Sequence, residues 1–261
     1  MTTEIMGILN VTPDSFSDGG RFAHLEPAVE QAFRLVEEGA SILDIGGEST
    51  RPGAAPVSEE EELRRVLPVV EALAGRIHAR LSIDTYKPAV AEACLRAGAE
   101  MINDVTGLRD ARMASVAAAH GAAVVIMHMR GTPATMNQET AYSDVVAEVK
   151  AFLSRQATAA RAIGVDEIIL DPGIGFAKTA PQSFELLRRL GEFADLGCPL
   201  LIGPSRKSFL ATLPGMEKLG DRLEGTLAAS VIGVMQGASI VRVHDVKECR
   251  KALAVADAVK G

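Results

Sequence analysis

The chain has no tryptophan, and aromatic residues are only 4% of its 261 positions. That scarcity excludes a stacking platform for single-stranded nucleic acid, whose affinity comes from bases laid on aromatic rings. Positive charge is also short: 27 Lys and Arg stand against 34 Asp and Glu, a formal net charge of −7. Neither nucleic acid nor an anionic membrane surface is an expected partner for such a balance. Three cysteines, Cys94, Cys198 and Cys249, lie far apart with no metal-ligand spacing. They read as reduced thiols of a cytoplasmic protein, not as a disulfide or zinc framework. No apolar run approaches the roughly 18–20 residues of a membrane span. The first residues, MTTEIMGILNV, lack the basic stretch and long apolar core of a signal peptide. No GxGxxG motif follows the first apolar run, which weighs against a dinucleotide-binding doubly wound sheet.

What the chain has is aliphatic and periodic. Hydrophobic residues make up 48% of it, and eight short apolar runs each stop at a polar side chain able to do chemistry. The stops are Asn10, Asp44, Asp84, Asn103, His128, Asp171, the trio Ser205-Arg206-Lys207, and Arg242 with His244. Helical patterns fill most gaps; Val29, Ala32, Phe33 and Val36 share a face, for example, and Gly39 follows them. The run Ala122-AVVIM is apolar almost throughout, as a parallel strand buried on both faces is. This rhythm predicts an α/β fold, a single (β/α)8 TIM barrel forming one domain over residues 1–261. Its active site is expected at the C-terminal ends of the strands. Pro27 and Pro88 suit helix starts. Ser58 and Glu61 suit a capping box, and Pro68 predicts a kink or break in the helix they open. The loops VTPDSFSDGGRFAH and GGESTRPGAAPV are long enough to act as lids over the barrel mouth, with ordinary surface looping the alternative, and HMRGTPATMNQETAYS is a third long loop.

Two groups of residues carry the chemistry. Arg242 and His244 alternate onto one side of the eighth strand, next to Ser205-Arg206-Lys207 after the seventh. In such barrels those two loops commonly build a phosphate site, and converging cations call for an anion such as a diphosphate. Salt bridges from Arg206 and Arg242 to strand-end carboxylates are the alternative. The second group is Asp84, Asn103, Asp104 and Asp171. Carboxylates and amides at fixed spacing can bracket a flat heterocycle, and an aminopyrimidinone edge matches their donors and acceptors. Asp171, just before Pro172, could instead cap its loop. Asn10 offers one hard oxygen of the kind Mg²⁺ uses when it keeps waters and diphosphate oxygens, though an Asn at a strand end also forms turns. No Cys or Ser stands beside a His in a pattern that suggests a protein nucleophile.

The segments MGILNVTPDSFSDGG, DIGGESTRPGA, SIDTYKP, MINDVTG, MHMRGTP, DPGIGFAKT, GPSRKSF and VRVHDV resemble the dihydropteroate synthase family of folate biosynthesis along about the whole chain. One mild departure, Leu210-Ala211 after SRKSF, touches packing rather than a ligand. The resemblance implies condensation of (7,8-dihydropterin-6-yl)methyl diphosphate with 4-aminobenzoate to give 7,8-dihydropteroate and diphosphate. It implies that Asp84, Asn103, Asp171 and Lys207 hold the pterin, with Met127 as an apolar contact. Asn10, Arg242 and His244 would hold the diphosphate, with Mg²⁺ between Asn10 and its oxygens. Thr50, Arg51 and Pro52, with Phe16, would form the aminobenzoate pocket, for which sulfonamides would compete. Asp84, Lys207, Arg242 and His244 are the expected catalytic residues, and a homodimer is implied as well. Two other readings share the barrel and the pterin pocket: a pterin-dependent methyltransferase domain and a non-catalytic pterin-binding paralogue.

Overall fold

The structure, a computed structural model, describes residues 2–12, 25–50 and 53–261. Strands and helices alternate: β1 (Glu4–Asn10), α1 (Leu25–Glu38), β2 (Ile42–Gly46), α2 (Glu59–Leu73), β3 (Arg80–Asp84), α3 (Pro88–Arg96), β4 (Met101–Asp104) and α4 (Ala111–His120). They continue with β5 (Ala123–Met127), α5 (Val145–Ile163), β6 (Ile168–Asp171), α6 (Ala180–Arg188), β7 (Leu201–Ile202), α7 (Leu223–Met235), β8 (Ile240–Val243) and α8 (Val246–Lys260). The strands form one sheet in the order β6-β5-β4-β3-β2-β1-β8-β7. Every pairing between them is parallel. A parallel bridge between Leu170 and Leu200, with Leu170 N donating to Pro199 O at 2.9 Å, brings the two outer strands together. The fold is the expected TIM barrel.

Alternation along the strands sorts the core into two parts. Met6, Ile42, Met101, Ala123, Val125, Ile169, Leu201 and Ile240 form one buried cluster that fills the barrel. Their neighbours one residue away, such as Ile5, Leu43, Ile102, Val124, Ile168 and Val241, belong to a larger cluster shared with the helices. Because side chains on a strand alternate, the residues two and four places beyond the inner plug also face inward. Those positions are Ile8 and Asn10, Asp44 and Gly46, Asn103, Met127, Asp171, Gly203, and Arg242 with His244; Ser82 and Asp84 of β3, which has no residue in the plug, pair in register with Asp44 and Gly46. The polar layer therefore lies directly above an aliphatic floor.

Two local expectations are altered. Ser58 caps α2, its Oγ accepting from Glu61 N at 3.2 Å, but the Glu61 carboxylate does not complete a box; it accepts from Arg64 and Arg65 instead. Nor does α2 break at Pro68. Burial of Val66, Val69, Val70 and Leu73 along one face outweighs the single backbone bond a proline forfeits. The three cysteines are free thiols, and burial pushes Cys94 up to about 12 and Cys249 up to about 11, so both are inert packing residues. Among the described residues no helix is long and apolar enough to cross a membrane.

Candidate active site

At the mouth of the barrel, strand register lines up a row of functional side chains. Asn10 on β1 is level with Gly46 on β2, Gly46 with Asp84 on β3, and Asp84 with Asn103 on β4. A Cβ on Gly46 would lie in ordinary contact with the Asp84 side chain, 3.4 Å from its Cβ. On the far side Met127 of β5 is level with Asp171 of β6. One layer deeper sits Asp44, fully buried. It accepts from Ser82 Oγ at 2.7 Å, Asn103 Nδ2 at 2.8 Å and Arg242 Nε at 2.6 Å. Arg242 reaches across β1 to do so, and its Nη2 donates to Asp84 Oδ2 at 2.6 Å. The cationic and the acidic groups read from the sequence are thus one network, with Arg242 as the link.

Lys207, in the loop after β7, approaches from the other side. A Cβ on Gly203 would sit 3.8 Å from Lys207 Nζ and 3.8 Å from Arg242 Cβ, so the Lys207 ammonium lies over the same glycine as the base of the Arg242 side chain. Lys207 Nζ donates to Ile174 O and lies 4.3 Å from the centre of the Phe176 ring. Asp171 Oδ1 accepts from Gly173 N at 2.7 Å. His244 follows, with Nδ1 2.9 Å from Ser205 Oγ and its backbone N–H donating to that hydroxyl at 3.2 Å. Met127 joins Val105, Met129, Met136 and Ala177 in a small buried cluster edged by Tyr86 and Phe176, an apolar wall beside the charged row.

These surroundings move the acid–base groups. Burial pushes the Asp84 carboxyl up to about 7, with Asp44 adding to the rise and Arg242 opposing it. Burial pulls the Lys207 ammonium down to about 8; Arg242 adds to that, while Asp171 and Asp84 oppose it. Asp171 is also raised by burial, against the pull of Lys207.

Two other sequence readings are settled by geometry. Both arginines take the salt-bridge role set against the phosphate reading: Arg242 pairs with the strand-end carboxylates Asp44 and Asp84, and Arg206 Nε donates to Asp245 Oδ2 at 2.9 Å while its Nη2 bonds the same carboxylate. Asp104 leaves the acidic set. It neighbours Asn103 on one strand and so faces the opposite side, where it accepts from Thr106 N at 2.7 Å and Leu108 N at 3.1 Å to form a turn. Thr50 is half-buried in the loop after β2, and Gly53 N donates to Pro133 O at 3.2 Å, tying that loop to the one after β5. Phe16, Arg51 and Pro52 lie outside the described residues.

Sequence reasoning missed Asp44 as the deep anchor, having read it only as a strand end. The usable signal was its parity with Ile42 and Gly46 inside an apolar run. It also missed an ion cluster below Thr50: buried Lys87 bonds both Glu48 and Glu62, and Tyr86 Oη donates to Glu48 at 2.8 Å.

The pattern of the family described as pterin binding enzyme matches residues 6–244. The chain belongs to that family. Among its pterin-binding relatives, the dihydropteroate synthase of Synechocystis is 49% identical over 98% of this chain and 90% of its own length. That of Escherichia coli is 48% identical over 97% and 90%. A Yersinia pestis dihydropteroate synthase structure with a sulfonamide drug superposes with a TM-score of 0.93 at 45% identity, covering 99% of this chain and 94% of that one. A Xanthomonas albilineans dihydropteroate synthase with 4-aminobenzoic acid gives 0.93 at 46% identity, over 100% and 94%.

Proposed function

We propose that this pterin-binding enzyme is a dihydropteroate synthase. It would join (7,8-dihydropterin-6-yl)methyl diphosphate to 4-aminobenzoate, releasing diphosphate. The observation that carries this reading is the network in which Arg242 links Asp44 and Asp84, with the Lys207 ammonium reaching the same mouth from the loop after β7. Such a mouth offers carboxylates to one end of a substrate and cations to the other. Relatives have been solved with pteroic acid and with 6HMPPP, in keeping with a pterin end and a diphosphate end.

In this reading Asp84 and Asp171 accept from the pterin ring and amine N–H groups, Asn103 is aimed by Asp44, and Lys207 donates to a ring acceptor. Met127 packs against the ring. Arg242 and His244 neutralise the charge that builds on the departing diphosphate as its C–O bond breaks. The aryl amine nitrogen then forms the new C–N bond, and its proton passes to the released diphosphate or to water. An ionised Asp84 steadies positive charge on the pterin during that step. Thr50, Arg51, Pro52 and Phe16 would close over the aminobenzoate, the group that sulfonamides mimic.

The described residues include no cluster of three or more His, Cys, Asp or Glu able to hold a metal. A single amide oxygen at Asn10 nevertheless suits Mg²⁺ arriving with diphosphate, because that ion keeps several waters and needs few protein ligands. Asn10 would hold it, and when bound it would supply charge neutralisation at the leaving group. We further place the enzyme in the cytoplasm as a homodimer. Ile232 and Met235 on α7 and Val255 and Val259 on the adjoining α8 are exposed, an apolar face of the kind that pairs with a second copy.

The test is a product assay with both substrates. Dihydropteroate and diphosphate formed in equal amounts support the synthase. Methyl transfer to a corrinoid without diphosphate release, or pterin binding without turnover, would replace it with one of the other readings.

A further inference from the structure

Between β6 and α6 the backbone turns left-handed three times, at Gly173 (φ 68°), Gly175 (φ 80°) and Ala177 (φ 50°). A non-glycine residue stays in that region only where its surroundings hold it. Here the surroundings centre on Lys178, which is buried and which the catalytic reading above does not use. Its Nζ lies 2.9 Å from Gly173 O, 2.8 Å from Phe176 O, 3.3 Å from His128 O and 3.1 Å from His128 Nδ1. Its partners are carbonyls and one imidazole rather than a carboxylate. Burial, with Lys178 and Arg130 nearby, drives His128 down to about 2, so its ring is neutral and free to accept at Nδ1. The fit is close: a Cβ on Gly173 would fall 2.0 Å from His128 O.

The loop so gathered touches the site at three points. Gly173 N donates to Asp171, Ile174 O accepts from Lys207, and the Phe176 ring lies under the Lys207 ammonium. We propose that Lys178 is a positioning residue for the pterin subsite: it folds this loop so that Asp171 and Lys207 are aimed together. The proposal rests on the pterin reading of those two residues. Lys178 acts through the loop and not on substrate. Without its donors, carbonyls at Gly173, Phe176 and His128 lose a partner, and leaving buried acceptors unsatisfied is costly. Relaxation of the loop is the way to recover water, and it moves both ligands.

Lys178→Met keeps the length and apolar stem and deletes the donors. Calorimetry with pteroic acid should show its affinity weakened roughly 10- to 100-fold, the size expected when buried acceptors beside the site lose their donor. The KM for 4-aminobenzoate at saturating dihydropterin diphosphate should be unchanged. A purely structural role would lower the melting temperature and leave the affinity of the folded protein alone. Wild-type affinity for pteroic acid in folded Lys178→Met, or an equal shift in both constants, overturns the proposal. Wild-type protein that binds no pteroic acid overturns the pterin reading and the proposal with it. Should Lys178→Met not fold, Lys178→Gln, which keeps an N–H donor on a shorter arm, takes its place: weakened pteroic acid affinity with an unchanged KM for 4-aminobenzoate supports the proposal, and wild-type affinity overturns it.

Discussion

Arg242 carries two jobs that a single substitution would expose together. Its guanidinium satisfies fully buried Asp44 and also Asp84, so Arg242→Ala strands two carboxylates in the barrel. Breaking a buried pair in this way typically costs about 3–5 kcal/mol, which denaturant unfolding would register. Loss of a charge-neutralising donor also costs on the order of 100-fold in kcat. Normal turnover in the variant would remove Arg242 from the leaving-group role. Asp84 and Lys207 set a pH window. Pterin binding needs Asp84 ionised and Lys207 protonated, and burial raises the first and lowers the second, bringing both titrations toward neutrality. A plot of log kcat/KM against pH should therefore be bell-shaped, rising as Asp84 ionises and falling as Lys207 loses its proton. A flat profile across neutrality would contradict the assignment. The stability sign runs the other way. Asp84 is raised above its ordinary 3.8, so the folded state holds that proton more tightly, and the contribution of Asp84 to stability falls as pH rises from 3.8 through about 7.

At the scale of elements, the ends of β2 and β3 are strapped together by Lys87 bonding Glu48 and Glu62. Glu48 lies two residues before Thr50, so this strap fixes the base of the loop expected to hold aminobenzoate. Lys87→Met should lower the melting temperature and raise the KM for 4-aminobenzoate more than that for the dihydropterin diphosphate. Equal changes in both would show that the strap serves stability only. The barrel and the strand ends were legible because apolar runs with a polar stop are a property of consecutive residues. The strap and the Asp44 network were not legible. They join residues on neighbouring or facing strands, and only shear and register decide which side chains meet. Asp104 illustrates the limit: adjacent to Asn103 in sequence, it is separated from it by the thickness of the sheet. Pro68 illustrates another, since burial of the valines around it decides whether its helix survives.

For the whole molecule, all eight strands converge on one mouth, and the outward apolar surface gathers on α7 and α8. Replacing Ile232 and Val255 by Glu should leave the barrel folded and convert a dimer to monomers in sedimentation analysis. Unchanged mass would place the interface elsewhere, and a monomeric parent would remove it. Placement of every inward polar residue above one aliphatic plug also means that a single substrate can span β1 to β8. The most direct measurement of that claim is the binding of pteroic acid to the wild type and to Asp84→Asn, compared by calorimetry. Saturable one-to-one binding that is lost in the variant is the predicted result. Equal binding by both proteins would contradict the account.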